Sequence, residues 1–182
     1  MAGSLVKIDE FSISSAVASV ILGGGSSGSS GLNVSIDSTY DVYVVQYFNV
    51  FMSSDGANNR IRFTVSGSAD TSANYDRATK QMYTNQGFSN SSATNQTFIT
   101  SLNLGTTQDE SDNGTLYLFN FNNASEYSFI TQEQIQTNNA SEIAGNMGGA
   151  VLTVAQACDG IQFSASTGNI ASGTFTLYGL KK

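Results

Sequence analysis

The chain has 182 residues and a net charge of −7, with 14 acidic side chains against 7 basic ones and no histidine. This balance argues against a nucleic-acid-binding surface, since each phosphate contact needs a Lys or Arg. Charged residues make up 12% of the chain, against about 25% in an average soluble domain, and no apolar run approaches the ~20 residues of a membrane helix. We therefore expect a weakly charged protein made in a cytoplasm, without a membrane segment.

The first 31 residues are predicted to form an N-terminal arm. Apolar side chains alternate around residues 5–9 and return at 16–22, and the GGGSSGSSG that follows, residues 23–31, has the composition of a flexible loop. We expect this loop to join the arm, residues 1–31 in all, to a main body spanning residues 32–182.

The body opens with a long apolar run that predicts a central strand. Between Val42 and Met52 both alternating sets of side chains are largely apolar, which is typical of a strand covered on both faces. An Asp55-Gly56 turn then leads into the alternating residues 59–67, so the two strands are predicted to form a hairpin.

Further strand patterns are separated by turn residues along the rest of the chain. Two segments are less regular: residues 73–86 fit a helical turn or an extended segment, and residues 132–144 fit a short helix or a covering loop. The clearer strand patterns lie at residues 96–104, 115–121, 126–131, 149–157, 161–166 and 173–180. This spacing predicts an all-β fold, a jelly-roll-like β-sandwich of about nine to ten antiparallel strands with an N-terminal arm.

The last strand has the clearest alternation. Phe175 and Leu177 are predicted to enter the core. Gly168, Asn169 and Gly173 are predicted to form the turn that returns this strand antiparallel to residues 161–166.

Enzyme motifs are present only in the Gly/Ser tract, where residues 24–28 fit G-x-S-x-G and residues 23–28 fit G-x-G-x-x-G. A serine nucleophile needs a base, and the chain has no histidine. The single cysteine, Cys158, is predicted to be a packing residue. We therefore expect a protein that is not an enzyme and uses no cofactor.

A calcium loop is the one metal site that the sequence suggests. Asp109, Ser111 and Asn113, followed by Gly114, reproduce the opening spacing of such a loop, but Asn120 stands where a bidentate Glu is required. A solvated acidic hairpin loop explains the same residues, and we favour it.

Candidate partner contacts come from tyrosines and from outward-facing arginines. Tyr75 and Tyr83 lie in the irregular segment, and Arg60 and Arg62 alternate with apolar residues and so point outward. Tyrosine suits both subunit contacts and stacking on sugars. Because proline is absent and lysines number only four, the strand edges have few guarding residues, which favours a homo-oligomer.

Two segments resemble a known family. IDSTYDVY opens residues 36–78, and GNIASGTFTLYGLK lies near the end of residues 160–182. Together they resemble small virion structural proteins of tailed bacteriophages, especially marine ones. The resemblance implies a sandwich or jelly-roll unit exposed on the phage particle, on the capsid or in a fibre, commonly as a trimer and without catalytic residues. Residues 79–158 match no family pattern, so we expect them to determine which partner is bound.

These observations lead us to expect a non-enzymatic capsid decoration or cement protein in the virion, bound to the major capsid protein or to fibre subunits. The alternative is the receptor-binding domain of a tail fibre, which would bind host-surface glycan through Tyr75 or Tyr83. A calcium-dependent or carboxylate-based glycan hydrolase is the third and least favoured hypothesis.

Overall fold

The computed structural model describes residues 4–181, which form two antiparallel β-sheets and include no α-helix. One 3₁₀ turn, Gln108–Glu110, precedes the ninth strand. The strands in chain order are β1 (Ser4–Ser12), β2 (Ser19–Gly23), β3 (Val42–Met52), β4 (Ala57–Val65), β5 (Ser68–Ala69), β6 (Tyr75–Tyr83), β7 (Gly87–Gln96), β8 (Ile99–Leu104), β9 (Asp112–Phe119), β10 (Ser128–Thr137), β11 (Ile143–Leu152), β12 (Gly160–Ala165) and β13 (Ile170–Lys181).

The two sheets pack face to face, which confirms the predicted all-β sandwich. The large sheet has the strand order β1-β13-β3-β9-β10-β11-β6-β7, and the small sheet has the order β2-β12-β4-β5, with β8 also paired to β4. The described residues form thirteen strands, more than the nine or ten expected. One reason is that residues 73–86 contain β6, and residues 132–144 contain the end of β10 and the start of β11.

The segment predicted as an arm contributes a strand to each sheet. β1 pairs with β13 and β2 pairs with β12, so residues 4–23 belong to the sandwich. The Gly/Ser tract was predicted to be flexible, and this was wrong, because its backbone is hydrogen-bonded. The Asp159 carbonyl accepts from the Gly24 N–H at 2.8 Å, and the Val34 carbonyl accepts from the Gly25 N–H at 2.8 Å. Both glycines have positive φ, which other residues rarely adopt.

The predicted hairpin between β3 and β4 is also wrong. β3 lies in the large sheet and β4 in the small one, so the chain crosses between sheets at residues 53–56. Here the Gly56 N–H donates to the Leu104 carbonyl at 2.9 Å. A turn sequence shows that the chain reverses, but it does not show whether the next strand pairs with the previous one or packs on it.

The closing turn makes a second crossing. β12 lies in the small sheet and β13 in the large one, so the predicted pairing of these two strands does not form. Instead β13 pairs with β1 and β3. The Ser53 N–H donates to the Asn169 carbonyl at 2.9 Å, so the two crossings lie side by side.

The apolar core lies where β13, β3 and β9 face the small sheet. Phe175 and Leu177 are fully buried, as the sequence predicted. Phe175 lies 4.9 Å from Phe163 and 6.0 Å from Tyr47, measured between ring centroids. Burying each such aromatic side chain contributes roughly 1.5–3 kcal/mol to folding.

A bulge in β3 explains why the inward-facing set of apolar residues changes from odd-numbered to even-numbered positions. Tyr47 pairs with Gly114 and Val50 with Asp112, so β3 has one extra residue between these pairs. Asn49 has φ 55° at this point. The bulge turns Val50 and Met52 inward and leaves Phe48 on the outer face.

Candidate functional site

Strand β10 has its polar and apolar residues on the opposite faces from those of an ordinary sandwich strand. Gln132, Gln134 and Gln136 are buried against the small sheet, whereas Phe129 and Ile135 face outward and are exposed. β10 therefore contributes polar side chains to the interior of the sandwich and leaves apolar side chains exposed to solvent on its other face.

The polar interior includes one carboxyl group. Asp112, at the start of β9, is completely buried, and neither of its oxygens has a hydrogen-bond partner of good geometry among the described residues. Burial raises the pKa of Asp112 to about 7, although the approaching side chains of Asn59 and Tyr47 act to lower it. Burial and the nearby Asp112 carboxyl in turn raise the pKa of Tyr47 well above its usual value.

The outer face of the large sheet is the main exposed apolar surface, and we call it the outer face below. Tyr117, Phe129, Ile135 and Met147 are 43%, 42%, 48% and 45% exposed, and Phe48 and Phe88 lie on the same face with 47% and 71% exposed. These six side chains expose about 600 Å² in total, taking roughly 200 Å² for each whole side chain. That is at the upper end of the roughly 300–600 Å² found for the largest patch on a typical monomer.

Two opposite charges flank the centre of the outer face. Met147 in β11 pairs with Glu133 of β10 on one side and with Lys80 of β6 on the other. Both charged side chains are exposed. Strands are ~4.8 Å apart, so these two residues stand roughly 10 Å from each other. Neither makes an ion pair with a described residue, and the Lys80 ammonium donates instead to Asn90 at 3.1 Å.

A trough of small side chains crosses the same face. Through successive strand pairings, one row runs from Tyr117 through Thr131, Gly149 and Ala78 to Ser92. Two open depressions of about 650 Å³ and 610 Å³ share Ala78, Ser92 and Thr131 in their linings. The row therefore has an aromatic ring at one end, and the depressions extend from beside this ring to Ser92 at the other end.

The residues predicted as calcium ligands lie on different elements. Asp109 is exposed on the 3₁₀ turn, whereas Asn113 lies within β9. The Asn113 side-chain oxygen accepts from the Asn49 N–H at 2.9 Å, and its amide group faces the Ser111 carbonyl at 3.5 Å. Asn113 thus supports the β3 bulge. No cluster of three acidic, Cys or His side chains fit to hold a metal occurs within residues 4–181.

The four predicted partner contacts are in three different situations. Tyr75 is 1% exposed, and its hydroxyl accepts from the Phe63 N–H at 3.0 Å, so a ligand does not reach it. Tyr83 is half-buried at the end of β6. Arg60 and Arg62 lie on the outer side of the small sheet, where their guanidinium carbons stand 4.1 and 5.6 Å from the centre of the Phe98 ring.

Arg60 and Arg62 are both engaged within the chain. Arg62 Nε also donates to the Thr97 carbonyl at 2.9 Å. Burial, together with the charge of Arg62, lowers the pKa of Arg60. Both guanidinium groups stack on Phe98 and so cover the outer side of the small sheet.

Sequence reasoning missed the outer face. The signal was present in residues 128–137, where apolar Phe129 and Ile135 alternate with glutamines, but a period of two does not say which set faces the core. Residues 132–144 were predicted to form a short helix or a covering loop, and buried glutamine is uncommon.

Comparison of the chain with protein-family models, curated proteins and solved structures gives no match. Within residues 4–181 there is no helix long and apolar enough to cross a membrane.

Proposed function

We propose that this chain is a non-enzymatic structural protein of a tailed-phage particle, where it decorates or cements the exterior of the capsid. The observation that carries the proposal is the outer face, whose exposed apolar area is at the upper end of the range for the largest patch on a free monomer. A protein that works by assembly has such a surface, because burying it against a partner supplies most of the association energy.

The two segments that resemble phage virion proteins are neighbours in space. Residues 36–78 contain β3 and β4, and residues 160–182 contain β12 and β13. β3 pairs with β13, and β4 pairs with β12. The resemblance therefore covers a contiguous block that spans both sheets, which supports a shared scaffold.

The segment without resemblance contributes most of the outer face. Residues 79–158 include Tyr117, Phe129, Ile135 and Met147, together with Lys80 and Glu133. This placement agrees with a protein that keeps a common scaffold and varies the surface that meets its partner.

An electron-microscopy map of the assembled particle, with mass spectrometry of its proteins, tests this proposal. We expect the chain to be a stoichiometric component with density for a two-sheet sandwich on the capsid exterior. A location restricted to the tail would contradict the decoration role, and absence of the chain from purified particles would contradict the structural role altogether.

The second candidate is recognition of host glycan by a fibre domain, and one observation favours it. Tyr117 is exposed beside the 650 Å³ depression, whose lining includes Asn90, Thr131 and Glu133. An aromatic ring beside polar side chains suits a sugar. The test is binding of the purified chain to host-surface polysaccharide, with loss of binding in Tyr117→Ala. Equal binding by the variant, or none by either protein, would contradict it.

A further inference from the structure

We propose that the outer face of one chain packs against the outer face of a second copy, related by a two-fold axis that runs along β11. This inference rests on the proposed assembly role, and it names the partner and the symmetry. Its three supports are the placement of charge, the shape of the face and the size of the apolar area.

The charges select one two-fold axis. Glu133 and Lys80 stand on opposite sides of Met147 in one row across β10, β11 and β6. Rotation by 180° about an axis along β11 exchanges the two sides, so each Glu133 faces Lys80 of the second copy. A two-fold axis across the strands through Met147 would instead place each charge against its own equivalent. Opposite charges across an interface fix its register, and like charges destabilise it.

The same rotation matches the shape of the face. Tyr117 lies two strands to one side of Gly149 in β11, and Ser92 lies two strands to the other side in the same row. The rotation therefore places each Tyr117 ring over Ser92 of the second copy, where Ala78 and Ser92 line both depressions. The Tyr117 ring of one copy thus stands opposite the depressions of the other.

The area is sufficient for a specific pair. After the rotation Phe48, on β3, lies beyond β7, the edge strand of the second copy, so the apolar contact comes from Tyr117, Phe129, Ile135, Met147 and Phe88. These side chains expose about 500 Å² in each copy. Together with the polar rim, two copies therefore bury more than the ~1,000 Å² that marks a specific interface. The centre of the contact is apolar and its two ion pairs are partly shielded from solvent.

Sedimentation equilibrium of the purified full chain tests the pairing. We expect a monomer–dimer equilibrium in which Glu133→Lys or Lys80→Glu alone raises the dissociation constant by about tenfold or more, because like charges then meet. The double variant restores the opposite pair in exchanged positions, so we expect it to return close to the wild-type value. Glu126→Lys, an equal charge change in an exposed loop, is the matched control and should have no effect.

A second variant tests shape independently of charge. Ser92→Tyr fills the hollow on an exposed strand and should shift the equilibrium to monomer without altering the melting temperature. A wild-type chain that stays monomeric at all concentrations, or that forms a trimer, would overturn the two-fold pairing. So would a double charge variant that dimerises no better than the single variants.

The result of the dimerisation test can be distinguished from the result of the test of the proposed function. A monomeric chain that is nevertheless found on the capsid exterior would end this inference and leave the structural role standing. A dimer that is absent from the particle would end the structural role and keep the pairing.

Discussion

The two halves of the sandwich interior are built differently. Beneath β13 and β3 the sheets meet through apolar rings such as Phe163 and Phe175, whereas β9 to β11 also bury the polar side chains of Asp112, Gln132 and Asn146. The first half follows the usual rule for a sandwich, with apolar side chains inside. In the second half Gln132 and Asn146 are buried beside apolar residues such as Ile130, whereas Phe129 and Ile135 face out, so some apolar surface remains for association.

The largest expected effect contrasts one residue type on the two faces of the large sheet. Phe175→Ala empties a fully buried position and should lower the free energy of unfolding by about 3–5 kcal/mol. Phe129→Ala changes an exposed ring and should cost less than about 1 kcal/mol in a dilute sample. Urea denaturation measures both variants, and equal losses would remove the distinction between the faces.

The buried carboxyl should make stability depend on pH in an unusual direction. The pKa of Asp112 is raised in the folded state to about 7, so between pH 5 and pH 7 the folded chain binds more protons than the unfolded chain. Stability is therefore greatest at the acidic end and falls by up to about 1.4 kcal/mol per pH unit until Asp112 has ionised.

Asp112→Asn should abolish most of this dependence and stabilise the protein at pH 8. Because the chain has no histidine, no other side chain has an unperturbed pKa in that window. Thermal unfolding at several pH values gives the comparison. Parallel pH profiles for the wild type and the variant would show that Asp112 is not responsible.

A smaller effect is expected where a buried amide is replaced. Gln132 is buried, and its side-chain nitrogen has no partner among the described residues. Gln132→Met keeps the shape and removes the unpaired donor, so we expect a gain of about 1 kcal/mol. Gln46→Met makes the same change on the outer face and should leave the urea midpoint unchanged. A lower urea midpoint for Gln132→Met than for the wild type would mean that the Gln132 amide has a hydrogen-bond partner in solution.

An effect of similar size is expected at the bulge that divides β3 between the two faces. Asn49 has φ 55°, so Asn49→Ala should cost about 1 kcal/mol, because a Cβ without a compensating polar group is disfavoured there. Asn49→Gly should be neutral or slightly stabilising. If both substitutions have the same effect in thermal unfolding, the backbone conformation at this position does not set the cost.

Sequence patterns predicted the fold class well and the strand pairing poorly. Alternation placed Phe175 and Leu177 in the core, as observed. The same local patterns could not distinguish a hairpin from a crossing between sheets, and residues 53–56 and 168–173 are both crossings. Pairing depends on contacts that are distant in sequence, such as that of the Ser53 N–H with the Asn169 carbonyl.

The candidate site could be predicted less well than the fold. Tyr75 was selected because it lies in an irregular polar segment, yet it is a core residue of β6. The outer face depends on which alternating set of β10 turns inward. Gln132 pairs with Leu116 of β9 and Gly148 of β11, and these contacts with neighbouring strands are not visible in residues 128–137 alone.

Hydroxyl-radical footprinting tests most directly the claim that the outer face is buried against another chain when the protein is assembled. Met147 and Tyr117 on that face, and Tyr127 in the loop before β10, are similarly exposed in the single chain. In the assembled form we expect Met147 and Tyr117 to be protected from oxidation relative to a dilute sample, and Tyr127 to remain reactive. Equal reactivity of Met147 and Tyr117 in the dilute and assembled samples would contradict the account.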